Sequence, residues 1–186
     1  MSAALWALGR GTGVVALVLF TVSLVLGIVA RSGRPVPWLG RFGTSDLHRT
    51  AALTGTALVV AHVGTLYLDP YAQLRLVDLV FPFLGAYKPL WLGLGTLAAD
   101  LLVIVTVVSL LRHRVGPRVF RTVHWATYAL WPVALMHALG NGTDGGSTWL
   151  RGLAVVCISA VVTAVGWRLS PSYAHRGWTR HPRRVA

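Results

Sequence analysis

The chain has 186 residues, of which 55% are hydrophobic and only 12% charged, about half the charged share of an ordinary soluble domain. Basic residues outnumber acidic ones 17 to 5, a formal net charge of +12 with histidine neutral. A nucleic-acid binder spreads such charge over a polar surface. Here the cations punctuate apolar runs about 20 residues long, which excludes nucleic acid and makes the lipid bilayer the first partner.

Five segments are long enough to cross a hydrocarbon core of about 30 Å, which takes roughly 20 helical residues. In chain order they are 5–30, 46–68, 89–111, 119–139 and 148–169. The fold class expected is an all-α membrane bundle of about five transmembrane helices. The first segment is read as a retained helix. Its apolar core from Val14 to Ala30 is too long for a signal-peptide core, and no small-x-small cleavage site follows. Within it, Gly9, Gly11 and Gly13 follow no strand, so they are read as close helix packing, not a dinucleotide fingerprint. In the connection 69–88, Leu74, Leu76, Leu79 and Val80 are interspersed with Arg75 and Asp78, and Pro82 ends the pattern. It reads equally as a short amphipathic helix on the outer surface or as a loop anchored by Tyr71, Phe81 and Phe83. A turn from Gly140 to Gly146 reverses the chain before the fifth segment. Residues 1–170 are expected to form one membrane domain and 171–186 a basic cytoplasmic tail. The single Cys157 lies in an apolar run and excludes an intrachain disulfide.

The connections differ in charge. Arg31, Arg34, Arg41 and Arg49 surround the first, Arg112, Arg114, Arg118 and Arg121 the third, and Arg168, Arg176, Arg180, Arg183 and Arg184 the tail. The opposite side holds Arg10, Arg75, Lys88 and Arg151, with Asp69, Asp78 and Asp144. The positive-inside rule then predicts an external N-terminus and a cytoplasmic C-terminus. A multi-pass protein of a cell membrane fits that pattern.

Histidine carries the functional signal. His113, His175 and His181 sit among arginines and are expected to be solvated. His48 and His62 lie on the second segment, His124 and His137 on the fourth, and ionisable groups inside a membrane point to function by default. One segment separates these two, so they run in the same direction. His48 and His124 therefore lie near the cytoplasmic end, His62 and His137 near the outer end. The spacings of 14 and 13 residues correspond to roughly 20 Å along each helix. A facing pair of neutral imidazoles suits the two axial positions of a haem iron, and two such pairs would stack two b-type haems. Fourteen residues turn about 1400°, within roughly 40° of whole turns, so His48 and His62 share a face. Thirteen residues miss by about 140°, and a kink at the intervening Pro132 is expected to re-aim His137. Structural histidines, or zinc or copper ligation, are the alternatives. Zinc wants three or four convergent ligands, and each level offers two histidines.

With His48-Arg49, His62 fourteen residues on, the His124/His137 pair and the segment HWATYALWPVALMHALGNGTD, the chain resembles the ferric-reductase-like transmembrane domain superfamily over about residues 5–170. That group includes the membrane part of NADPH oxidases and ferric reductases and bacterial YedZ/MsrQ-type haem subunits. The resemblance implies two haem b groups, on His48/His124 and His62/His137, moving electrons between membrane faces. No FAD or NAD(P)H domain is expected in this chain, so a separate cytoplasmic flavoprotein or a membrane quinol would feed the inner haem. Ferric iron, oxygen or a partner reductase would accept the electrons outside. Arg49 and Arg121 flank the inner histidines and suit haem propionates, and Arg10 suits the outer haem in the same way. Asp100, near the middle of the third segment, is expected to bond a ligating imidazole, join quinol or proton chemistry, or make a structural hydrogen bond. Trp125 and Trp131 are candidates to line a haem, while most of the other tryptophans read as interface anchors. No constellation for hydrolysis or group transfer is present, so activity would belong to the redox groups of an oxidoreductase subunit. A non-catalytic anchor or assembly subunit of a respiratory complex and a b561-like cytochrome linked to quinol or ascorbate are the competing readings.

Overall fold

A computed structural model describes residues 3–33, 41–70, 72–141 and 144–174. Eight helices are present among them: α1 (Ala3–Ser32), α2 (Arg41–Leu68), α3 (Leu76–Val80), α4 (Pro89–Leu110), α5 (Arg112–His124), α6 (Thr127–Asn141), α7 (Thr148–Leu169) and α8 (Pro171–Ala174). No strand occurs among the described residues. In lipid every backbone N–H and C=O needs an internal partner, which apolar segments of this length satisfy as helices. Four of them, α1, α2, α4 and α7, are long and apolar enough to cross a membrane. The protein is an all-α membrane bundle.

The fourth expected span, 119–139, is not one helix. Gly116 takes a positive φ of 80°, a conformation that favours glycine, and Pro117 restarts the helix behind it. A second interruption falls at Trp125–Ala126. There the backbone tightens: Ala126 N donates to Val123 O, Tyr128 N to Trp125 O and Ala129 N to Ala126 O. Such three-residue turns advance each residue by about 120° where an α-helix advances it by about 100°. The extra rotation runs in the direction that reduces the shortfall of about 140° between His124 and His137. Pro132 lies inside α6, so the stretch between His124 and His137 holds both the tightened turns and the proline.

The α1/α2 contact is the most extensive in the bundle, α4 packs on α6, and α1 also meets α6 and α7. Their centre is a buried cluster of Leu17, Trp131, Leu135, Ala154, Cys157 and Val161, so Cys157 is a packing residue. Trp131 Nε1 donates to Thr21 Oγ1 at 2.9 Å and the hydroxyl donates to the Leu17 carbonyl at 2.9 Å, which satisfies both polar groups where no water is available.

The connection 69–88 combines the two expected forms: the five-residue α3 with turns around it. Tyr71 lies outside the described residues. Phe83 fills the space left by the missing Cβ of Gly93 on α4. Arg75 binds Asp78 through Nε and Nη2 at 3.0 and 2.8 Å, and Thr96 Oγ1 of α4 donates to the Asp78 carbonyl at 2.7 Å. The Arg75 hydrogen bond holds the Asp78 carboxyl below the usual carboxylate range. Its contribution is therefore present above the unfolded carboxylate pKa and is lost as pH falls through the depressed value. Asp78→Asn is expected to speed amide hydrogen exchange across 75–84 at neutral pH with little change in α1 and α2. Equal exchange in variant and parent would show that the pair does not fasten α3.

Candidate functional site: two histidine pairs

Every half of the site is built by a helix pair. On α1 and α2 the contacts run antiparallel and repeat after fourteen residues. The His62 ring packs against Gly13 and donates from Nδ1 to the Gly9 carbonyl at 2.6 Å; the His48 ring packs against Gly27 and donates from Nδ1 to the Ser23 carbonyl at 2.7 Å. A Cβ on Gly13 would lie 2.9 Å from His62 Nδ1, and one on Gly27 3.2 Å from His48 Cε1. Glycine is required at such approaches because any larger side chain would displace the ring. Ser23 adds a hydroxyl whose Oγ lies 3.0 Å from His48 Nδ1 and donates to the His48 carbonyl at 3.3 Å.

On α4 and α6 the same device appears once. His137 Nδ1 donates to the Trp91 carbonyl at 2.8 Å, and the ring lies over Gly95, where a Cβ would come within 2.5 Å of its Cε1. His124 is held differently. Its ring stacks on Phe120 of its own helix, centroids 5.1 Å apart at 27°, and its buried Nδ1 has no partner among the described residues.

These four side chains meet in two pairs. The ring centroids of His48 and His124 are 6.1 Å apart with planes at 78°, and those of His62 and His137 are 6.4 Å apart at 81°. A carbonyl partner fixes the proton on Nδ1, so His48, His62 and His137 each keep the Nε2 lone pair for a ligand. A metal–imidazole bond of about 2.0 Å on each side, with about 1.1 Å from nitrogen to ring centre, would set two axial rings about 6.2 Å apart. Both pairs match that spacing, so the residues present fit a haem iron between them. Among the described residues no group of three or more His, Cys, Asp or Glu side chains converges, leaving two protein ligands per level. Along α2 the levels are about 21 Å apart, and Trp131 lies between them in sequence, buried in the core.

The His48/His124 level opens into a cavity of about 1670 Å³, larger than the 300–1,000 Å³ of a usual small-molecule site. Phe20, Ser23, Gly27 and Trp131 line it, and Arg31, Arg49, Arg112, Arg118, Arg121 and Arg168 are also part of its wall. Arg49 and Arg121, expected from sequence, are exposed there, Arg121 donating to the Pro117 carbonyl at 3.1 Å. Arg168 was not expected among them, since its place near the end of the last span grouped it with the tail. Its guanidinium donates to Tyr128 Oη at 2.6 Å and lies 4.8 Å from the centre of the Trp125 ring. The spacing of Trp125 and Tyr128 on one helical turn is the only sequence signal for that cage. Trp125 is 58% exposed and lines the cavity beside His124. Arg10, at the other end, pairs with Asp144 and lies 4.0 Å from the centre of the Trp6 ring. Asp100 is half-buried and bonds none of the four rings; the Nδ1 partners of His48, His62 and His137 are the carbonyls of Ser23, Gly9 and Trp91. His175 and His181 lie outside the described residues.

The four histidines thus stand as two pairs at two levels of an all-α membrane bundle. A family model described as ferric reductase like transmembrane component matches residues 12–135, and the chain belongs to that family. The matched stretch contains His48, His62 and His124 and ends two residues before His137. Membership supports a role in membrane electron transfer. Neither a curated protein nor a solved structure matches the chain.

Proposed function

We propose that the chain conducts electrons across a bacterial cytoplasmic membrane through two b-type haems, one on His48/His124 and one on His62/His137. The observation that carries this reading is the pair of ring separations, 6.1 and 6.4 Å, at two levels of one bundle. When bound, each haem iron supplies one-electron redox chemistry whose potential is set by its ligands and their hydrogen bonds. The chain's part is to hold the rings. Gly13, Gly27 and Gly95 give them room, and the carbonyls of Gly9, Ser23 and Trp91 fix their tautomer and ring orientation.

The arginines divide by end. Arg49, Arg121 and Arg168 stand at the cavity of the His48/His124 level and are suited to its propionates, guanidinium and carboxylate being matched forks. Arg10 already has a carboxylate in Asp144, so any propionate at the other level would share it. The arginine-rich end is the cytoplasmic one by the positive-inside rule. A flavoprotein or a membrane quinol gives electrons there, and an external acceptor such as ferric iron, oxygen or a partner reductase takes them at the other end. Asp100 is left for proton or quinol chemistry away from the rings.

Proteoliposomes containing reductant and facing an impermeant ferric chelate test this. Chelate reduction is expected with the haem-loaded chain and to fall at least tenfold in the His62→Ala/His137→Ala protein. Equal rates in both would remove the conduit and favour an anchoring or assembly role.

A further inference from the structure

We infer that the iron at the His48/His124 level has one detachable ligand, His124, and that a small neutral ligand such as carbon monoxide takes its place when that iron is reduced. This rests on the haem reading above and goes beyond it.

Three of the four rings are fixed from a neighbouring helix by the same two contacts, a carbonyl on Nδ1 and a glycine notch. His48 gains a third, the Ser23 hydroxyl. His124 has no Nδ1 partner among the described residues and rests on Phe120 one turn back. If its Nε2 is to face a metal, the proton sits on Nδ1, a buried donor with nothing to bond. A ligating imidazole without that hydrogen bond is less basic, and losing such a partner weakens metal binding about 10–100-fold. His124 lies in the tightened stretch 123–129, the kind of interruption that marks hinges in helices, and α5 buries none of its residues. His124 also lines the cavity at this level, where its ring is not enclosed on every side.

The exchange balances without an electron moving: the iron–nitrogen bond to His124 breaks, an iron–carbon bond forms, and the imidazole leaves neutral. The test is carbon monoxide added to the dithionite-reduced, haem-loaded chain, with total haem measured separately. About half the haem should shift its absorption. The His62→Ala/His137→Ala protein should shift all of its remaining haem, and the His48→Ala/His124→Ala protein none. Phe120→Ala, which removes the stacking contact without touching a ligand, should give faster binding than the parent. Two haems per chain with no shift, a shift confined to the His62/His137 level, or an unchanged rate in Phe120→Ala overturns the inference and leaves the haem reading standing. A chain with no haem overturns both.

Discussion

Purified His62→Ala/His137→Ala protein is expected to keep one haem where the parent keeps two, and His48→Ala/His124→Ala is expected to keep the other. The two levels share no ligand, they lie about 21 Å apart along α2, and their Nδ1 partners are separate residues. Changes at sites so far apart add independently, so each double variant should lose about half of the absorbance in a reduced-minus-oxidised spectrum. The quadruple variant should lose all of it. Single changes are smaller, because one imidazole remains to hold the iron. Unequal spectra from the two double variants would follow from the differing second contacts, since hydrogen bonding at the ring nitrogen tunes the iron. A double variant that folds and yet loses both haems would show that the levels are not independent.

The second large effect comes from residues with no functional group. A methyl on Gly95 would sit 2.5 Å from His137 Cε1 and 2.6 Å from its Nδ1, and such overpacking costs about 1–3 kcal/mol where the structure cannot yield. The ring can escape only by giving up the Trp91 carbonyl. Gly95→Ala is therefore expected to weaken haem retention at the His62/His137 level about 10–100-fold, with the other level unaltered. Gly13→Ala, whose Cβ would lie 2.9 Å from His62 Nδ1, should act in the same direction. Gly11 is the internal control. Nothing lies within 4 Å of its added Cβ, so Gly11→Ala should leave both haems in place. The haem-to-protein ratio after purification separates these cases. A Gly95→Ala protein with the parent's ratio would mean that the notch does not position His137.

Much of this arrangement was legible in the residues. Apolar runs placed the helices, and the single span between those bearing His48/His62 and His124/His137 made them parallel whatever their absolute direction. That parity, with matching spacings, was enough to pair the histidines. The connection 69–88 left two forms open, and the chain uses parts of both because Arg75, Asp78 and Thr96 fasten only one turn of helix.

Other features were hidden for physical reasons. The partners of three rings are backbone carbonyls, which every residue has, so no side-chain type announces them. Asp100 drew attention as the ionisable group nearest the middle of a span, yet the rings turn to main chain instead. Pro132 was the visible helix breaker, while the tightened turns at 123–129 are a property of hydrogen-bond register with no residue signature. The Gly9-Gly11-Gly13 run was rightly read as packing, but only the fold separates Gly9 and Gly13, which serve His62, from Gly11, which faces open space. Arg168 was concealed by its neighbours in charge, and its cage of Trp125 and Tyr128 is assembled from a different helix.

The most direct measurement of the central claim is the haem content of the full-length chain purified from haem-replete membranes, taken with its low-temperature electron paramagnetic resonance spectrum. Two haems per chain, both low-spin with two imidazole ligands in the oxidised state, is the expected result. A chain that is folded and carries no haem would contradict it.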